Sequence, residues 1–131
     1  MVSAYISNID GSSISVIDTE TNTVVATINT GAGTAPIGVG FAPDGAKAYV
    51  AIDLGYVIVV DVPSDTIIGS SITVGADPWG IAITPNGSTA YVANESSATI
   101  SVIDIATSMV SATINTGGMP PKKWSTCYES L

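Results

Sequence analysis

The sequence predicts an all-β fold assembled from one repeated unit, and three observations lead to this prediction. Val, Ile and Thr are abundant, and these residues suit the pleated, half-buried surface of a sheet. Short apolar runs alternate with turn sequences, and no helical period extends beyond one turn. The same runs and turns return about every 43 residues along the chain.

The repeat is defined by independent landmarks that keep one spacing. An aspartate that ends an apolar run recurs at intervals of 43 and 43 residues, at Asp18, Asp61 and Asp104. A tyrosine recurs at intervals of 44 and 42 residues, at Tyr5, Tyr49 and Tyr91. Because several landmarks share one period, the chain is a repeat protein, and the repeat decides the fold.

Each unit reads as four short strands. The first strand, 38–42 or 80–84, ends in a Pro-Asp-Gly or Pro-Asn-Gly turn, where a fixed φ precedes residues that tolerate positive φ. The second strand is the Ala-Tyr-Val-Ala run. The third strand, 100–105 in the last unit, leads into a turn rich in Thr, and the fourth, 109–115, closes at a glycine pair.

Four strands in about 43 residues are typical of a β-propeller blade. Residues 36–75 and 78–117 are predicted as blades 2 and 3, and residues 1–31 as a blade 1 without its first strand. Residues 118–131 form an atypical tail and a possible closing strand. In that tail Lys122 stands where the repeat has Gly80, and no Pro-Asp-Gly turn follows.

Three blades are too few for a closed propeller, which typically has about four to eight. We therefore expect the ring to be completed by a second chain, giving a six-bladed dimer with twofold symmetry. A larger ring or fibre, and a fragment of a longer propeller, are the other two interpretations of the blade count.

The repeat resembles the YVTN family of β-propeller repeats over residues 4–120. The tetrapeptide stands here as Tyr5-Ile6-Ser7-Asn8, Tyr49-Val50-Ala51-Ile52 and Tyr91-Val92-Ala93-Asn94. It is followed by Ser-Val-Ile-Asp, Ala-Thr-Ile and Pro-x-Gly-Ile-Ala-x-Thr-Pro-Asn-Gly. The resemblance implies a surface-layer-like propeller with an extracellular, cell-surface or periplasmic location, and it carries over no cofactor-binding residue.

Composition excludes several function classes. The chain has 11 acidic residues against three lysines, a net charge of −8, so a nucleic-acid partner is not expected. It has no histidine, which removes His-dependent triads, zinc sites and haem ligation. No apolar run is long enough to span a membrane, and residues 1–5 do not resemble a signal peptide. We expect no cofactor and no metal site.

Few residues stand out as functional candidates. The repeated aspartates are interpreted as turn caps rather than as a cation-binding ring, because no Asp-x-Asp-x-Asp cluster accompanies them. The repeated tyrosines are interpreted as core residues with hydrogen-bonded hydroxyls. Trp79, beside the Pro-Gly link between blades, and Trp124 in the tail are the candidate interaction residues.

These observations favour a non-catalytic scaffold or protein-interaction module that associates with itself to close the ring, and a further protein partner is compatible with it. The alternative is a propeller domain of a hydrolase, lactonase or redox enzyme, with its site at the central channel. No convergent catalytic set is visible in the sequence, so an enzyme is the less favoured hypothesis.

Overall fold

The computed structural model describes residues 2–118 and consists of antiparallel β-strands in three sheets. We call the sheets blade 1, with strands β1–β3, blade 2, with β4–β7, and blade 3, with β8–β11. The strands are β1 (Ser3–Asn8), β2 (Ser13–Asp18), β3 (Thr23–Asn29), β4 (Pro36–Phe41), β5 (Lys47–Ile52), β6 (Tyr56–Asp61), β7 (Thr66–Thr73), β8 (Pro78–Ile83), β9 (Thr89–Asn94), β10 (Thr99–Asp104) and β11 (Met109–Asn115). The predicted all-β, propeller-like fold is confirmed.

Within each blade the strands follow one another in sequence order. Blades 2 and 3 run β4-β5-β6-β7 and β8-β9-β10-β11, and blade 1 runs β1-β2-β3. The innermost strands β4 and β8 lie side by side, and β1 lies beside β4. The described residues therefore form a partial ring of three neighbouring blades.

The core lies between the blades because each strand alternates its side chains between two faces. One apolar cluster joins blade 1 to blade 2 and includes Tyr5, Val16 and Val50. A second joins blade 2 to blade 3 and includes Tyr49 and Val92. The strands β5 and β6 are buried almost throughout, since blade 2 is covered on both faces.

The turns follow the predicted chemistry. Gly45 and Gly87, at the ends of the Pro-Asp-Gly and Pro-Asn-Gly turns, both have φ of 72°. This left-handed conformation favours glycine. The β2–β3, β6–β7 and β10–β11 turns each place one residue at positive φ, with values of 54°, 53° and 55° for Asn22, Asp65 and Ser108.

The first strand of each complete blade begins two residues earlier than the sequence predicted. It starts at Pro36 in blade 2 and at Pro78 in blade 3, and both proline side chains are fully buried. A proline has no N–H to leave unpaired, so it is well suited to open an edge strand. The third strand of blade 3 also ends earlier, at Asp104.

Two predictions lie partly or wholly outside the described residues. The tail at 118–131 is described only at Gly118, and Trp124 is not described.

Among residues 2–118 there is no helix long and apolar enough to cross a membrane.

Candidate interaction surfaces

Each blade has a forward face, which points toward the next blade, and a rear face, which points toward the preceding one. The forward faces carry equivalent residues of the repeat, and so do the rear faces. In blades 1 and 2 the forward face packs on the rear face of the next blade. The forward face of blade 3 and the rear face of blade 1 stand at the two ends of the partial ring.

The forward face of blade 3 exposes apolar side chains that are buried in the other blades. Tyr91 is 39% exposed, whereas the equivalent Tyr5 and Tyr49 are 8% and 2% exposed. Ile114 is 46% exposed, whereas Ile28 and Ile72, the equivalent residues, are 5% and 4% exposed. The side chains have the same chemistry in all three blades, and only the covering blade differs.

The rear face of blade 1, at the other end of the partial ring, also exposes apolar side chains that are buried in the other blades. Ile6 is 48% exposed, whereas the equivalent Val50 and Val92 are completely buried. Ile17 is also partly exposed, although Val60 and Ile103 at its position are buried. The two end faces are thus the two halves of an interface that the chain already forms twice.

The interface between blades 1 and 2 shows how a tyrosine contributes to it. The Tyr5 ring packs edge-on against Phe41, with ring centroids 5.1 Å apart. The Tyr5 hydroxyl donates a hydrogen bond to Oδ1 of Asp65 in the β6–β7 turn of the next blade. The apolar part of the ring fills the core and the hydroxyl fixes the neighbouring turn.

The environment of these tyrosines changes their acidity. Burial raises the pKa of Tyr5, and the hydrogen bond to Asp65 and the charges of Asp65 and Asp61 raise it further. Burial, with a contribution from Asp44, also raises the pKa of Tyr49. Both hydroxyls therefore keep their protons above the pH at which an ordinary tyrosine ionises.

A polar network marks one end of the rear face in blades 1 and 3, whereas blade 2 has Ile52 at the equivalent position. In blade 3 the Asn94 amide donates to Thr99 Oγ1 at 3.2 Å and to Ser101 Oγ at 2.9 Å, and Asn94 is 2% exposed. The Oδ1 atom of Asn94 is buried without a hydrogen-bond partner among the described residues. A Cβ added to Gly75 of blade 2 would lie 2.7 Å from Asn94 Cγ, so the two blades are in close contact here.

Blade 1 repeats this network on its open rear face. The Asn8 amide donates to Ser15 Oγ at 2.9 Å and to Ser13 Oγ at 3.3 Å. Asn8 is only partly buried. The residue of blade 3 equivalent to Gly75 is Gly117, and no atom of the described residues lies within 4 Å of a Cβ built on it.

The repeated aspartates are turn caps, as the sequence predicted. Oδ1 of Asp18 accepts from the backbone N–H of Glu20, and Oδ2 of Asp61 accepts from the N–H and hydroxyl of Ser64. Asp104 accepts from the N–H of Ala106. Among residues 2–118 there is no group of three or more potential metal ligands.

Trp79 lies at the second position of β8 and is partly exposed. Its carbonyl oxygen lies against Gly38 of β4, where an added Cβ would come within 2.0 Å of it. The backbones of the two inner strands therefore approach closely at this point. The role of Trp79 in recognition stays a prediction.

A shallow cleft lies between the β4–β5 turn of blade 2 and the β8–β9 turn of blade 3. It has a volume of about 270 Å³ and includes Asp44, Lys47, Tyr49 and Asn86 in its lining. A second cleft of about 370 Å³ adjoins Lys47 and Tyr49 on the other side and extends to Ser108. These clefts bring a lysine and a tyrosine together at the rim of the interface between blades 2 and 3.

The sequence interpretation of the tyrosines is correct for two of the three. Tyr5 and Tyr49 are core residues, but Tyr91 is exposed because no described blade covers its face. Sequence reasoning also missed Ile6 and Ile114 as surface residues. Aligning the three repeats face by face would have found them, since an end face must expose what the inner faces bury.

Comparison with known proteins supports the fold. No family model matches the chain, and no curated protein matches it. Among solved structures 505 chains match, and one of them is Kuenenia stuttgartiensis hydrazine synthase, a β-propeller-containing protein. The likeness has a TM-score of 0.84 and 33% sequence identity over 92% of this chain. The chain spans about a third of the length of that protein, since the match covers 34% of it.

Proposed function

We propose that the chain is a non-catalytic β-propeller scaffold or protein-interaction module, in which two copies join blade 3 of each to blade 1 of the other. The observation that carries this proposal is the pair of end faces. Tyr91 and Ile114 at one end, and Ile6 at the other, are exposed where no neighbouring blade among residues 2–118 covers their faces. The same positions are buried wherever a neighbouring blade is present.

The physical basis of the association is apolar burial. Covering an exposed apolar side chain contributes roughly 25 cal/mol per Å² of apolar area removed from water. The forward-face positions of blade 3 are uncharged, and they are Tyr91, Ile100, Val102 and Ile114. The rear-face positions of blade 1 are also uncharged, and they are Ala4, Ile6, Asn8, Ser15 and Ile17. No charge has to be buried on these positions when the two faces meet, which avoids a large desolvation cost.

Symmetry favours closure with two copies. Joining the forward face of one chain to the rear face of the next is a head-to-tail contact, which forms a ring if the rotation closes and a filament if it does not. Two chains of three blades give six blades, within the usual propeller range of about four to eight. The twofold axis would then coincide with the central channel.

We propose further that the chain is a YVTN-type, surface-layer-like propeller that acts at the cell surface or in the periplasm. The repeated tetrapeptide and its following motifs support it, together with the propeller-like fold. In that setting the rigid blades would present their turns to a partner protein, and Trp79 and Trp124 are the proposed contact residues. Their replacement by alanine would weaken capture of such a partner.

The experiment that tests self-association places a charge on one end face. We expect Tyr91→Glu, and separately Ile6→Glu, to convert the dimer to a monomer in sedimentation equilibrium, since each buries an unpaired carboxylate at the interface. Leu54→Glu is the matched control, because Leu54 is 63% exposed in the β5–β6 turn and lies on neither end face. Equal masses for the three variants would contradict the proposal.

The likeness to hydrazine synthase favours a second candidate function, a propeller domain of a larger enzyme, of the redox, hydrolase or lactonase class. The proposed site would be the central channel or the cleft that holds Lys47 and Tyr49. Elemental analysis and an absorption spectrum of the purified chain test for a metal or chromophore. Turnover of a small substrate that is lost in Lys47→Met would support the enzyme and contradict the scaffold.

A further inference from the structure

We infer that the groove between blades 2 and 3 binds a small organic carboxylate whose body carries hydroxyl groups, and that Lys47 and Tyr49 hold its carboxylate. The groove consists of the two clefts that meet at these residues, an inner cleft of about 270 Å³ and an outer cleft of about 370 Å³. All four strands of both blades are described, so this site is separate from the two end faces. The inference therefore goes beyond the proposed association and holds whether or not a second chain closes the ring.

The equivalent groove between blades 1 and 2 shows which group is missing from this one. There the Tyr5 hydroxyl donates a hydrogen bond to Oδ1 of Asp65, in the β6–β7 turn of the next blade. The residue equivalent to Asp65 in blade 3 is Ser108, and the two have closely similar φ values of 53° and 55°. Serine supplies no carboxylate, and the Tyr49 hydroxyl forms no hydrogen bond with any of residues 2–118. The acceptor that Asp65 gives to Tyr5 is therefore absent for Tyr49.

The same comparison shows an added positive charge. Lys47 stands two residues before Tyr49, where blades 1 and 3 have Ser3 and Thr89, and it is the only lysine or arginine among residues 2–118. Its ammonium group forms no ion pair with the described residues, and Lys47 and Tyr49 line both clefts. The groove thus brings two hydrogen-bond donors together without the carboxylate that its counterpart has. A ligand carboxylate would accept from both donors, and such charge-assisted hydrogen bonds are roughly twice as strong as neutral ones.

The acidic side chains beside this groove are bound within their own turns. Oδ1 of Asp44, in the lining of the inner cleft, accepts from the backbone N–H two residues further on. Asp61, which lies opposite Lys47 in the β5–β6 pairing, and Asp104 each accept from a hydroxyl group three residues further on. These charges, together with the net charge of −8, oppose the approach of a polyanion. A ligand with a single carboxylate, held by direct contacts, is therefore favoured.

The lining of the outer cleft indicates the chemistry of the rest of the ligand. Besides the central pair it includes four hydroxyl-bearing and two aliphatic residues, namely Ser70, Ser71, Thr107, Ser108, Val59 and Ile68. A hydroxyl group both donates and accepts hydrogen bonds, so these side chains can pair with hydroxyl groups of a ligand. The volume of about 370 Å³ lies within the range of about 300–1,000 Å³ that is usual for small-molecule sites. A sugar acid combines a carboxylate with a hydroxylated body of this size.

The test is a titration of the isotopically labelled chain of 131 residues, followed by NMR of its backbone amides. Glucuronate is the probe, and glucuronamide, which has a similar shape but no charge, is the matched ligand. Ser108→Asp gives blade 3 the residue that blade 2 has at this position, so its carboxylate should take the place of the ligand carboxylate. Asn22→Asp is the matched control, because it adds the same charge at the equivalent turn of blade 1, at a φ of 54°, and Asn22 lines neither cleft.

We expect glucuronate to bind saturably and to shift the amide signals around Lys47, Tyr49 and Ser108, with the same affinity in Asn22→Asp. Glucuronamide should bind at least about tenfold more weakly, which corresponds to about 1.4 kcal/mol, and so should glucuronate in Ser108→Asp and in Lys47→Met. Equal affinities of the two ligands, or wild-type affinity in either groove variant, would overturn the inference.

An equal loss of affinity in Asn22→Asp would attribute the effect to net charge and would also overturn the inference. So would shifts confined to other parts of the chain, or no saturable binding of glucuronate. These readouts measure binding alone. The mass of the chain in solution and substrate turnover, which test the proposed functions, are separate measurements.

Discussion

Gly38 shows how the absence of one side chain fixes the spacing of two blades. Its φ lies outside the left-handed region, so the glycine is needed for space and not for its conformation. The Trp79 carbonyl occupies the position where a Cβ would project. A propeller packs its inner strands most closely, and this residue is where the sequence allows that approach.

Gly38→Ala should therefore destabilise the fold by about 3 kcal/mol or more, because a backbone atom must move to admit the methyl group. Urea unfolding measures the loss. Gly118→Ala is the matched control, since nothing lies within 4 Å of a Cβ built there. A Gly38→Ala protein as stable as the control would show that the inner strands are not in this contact.

Tyr5 is the residue whose protonation is most closely coupled to folding. Its ordinary pKa is 10.0, and burial together with Asp65 raises the pKa in the folded protein. The folded state thus holds the proton more tightly than the unfolded state. Its contribution to stability is complete below about pH 10 and is lost progressively as the pH rises above it.

We expect the free energy of unfolding of Tyr5→Phe to fall less than that of the wild type as the pH rises from about 9 to 11. Urea unfolding at a series of pH values measures both. At neutral pH the same variant should be less stable by about 1 kcal/mol, because the bond to Asp65 is gone. Asp65→Asn keeps an acceptor oxygen but removes the charge, so its alkaline decline should be intermediate. Identical declines for Tyr5→Phe and wild type would disprove the coupling.

At the scale of elements, the existence and type of the strands could be read from the sequence, because turn residues and apolar runs recur in register. The irregular pairing of the outer strands could not be read from the sequence. Register shifts occur between Val16 and Ile17 and between Val102 and Ile103, at the same place in blades 1 and 3. Such bulges depend on pairing with the outer strand, which leaves no distinct signal in the run of residues.

The burial of the strands predicts their order of hydrogen exchange. β5 and β6 are almost wholly buried, whereas β3 and β7 are largely exposed outer strands. Amides of β5 and β6 should exchange most slowly, and those of β3 and β7 much faster, because local opening is easiest where few apolar contacts hold the strand. Exchange measured by mass spectrometry that found β7 as protected as β6 would contradict this order.

At the scale of the whole molecule, the sequence predicted that three blades need a neighbour but not which residues meet it. The period gave the number of blades. The residues of the end faces emerged only when the exposure of Tyr91 was compared with that of Tyr5 and Tyr49. Equivalent residues look identical in the sequence, and their burial depends on a neighbouring blade that the repeat pattern does not specify.

Light scattering coupled to size exclusion gives the mass of the chain in solution, and this mass tests whether two copies close the ring. Closure by two copies predicts a single species of about 26 kDa, twice the chain mass of 13.2 kDa. A homogeneous 13.2 kDa species at micromolar concentration would contradict it, because both apolar end faces would then remain in water. A large, polydisperse mass would contradict closure by two copies and indicate a filament.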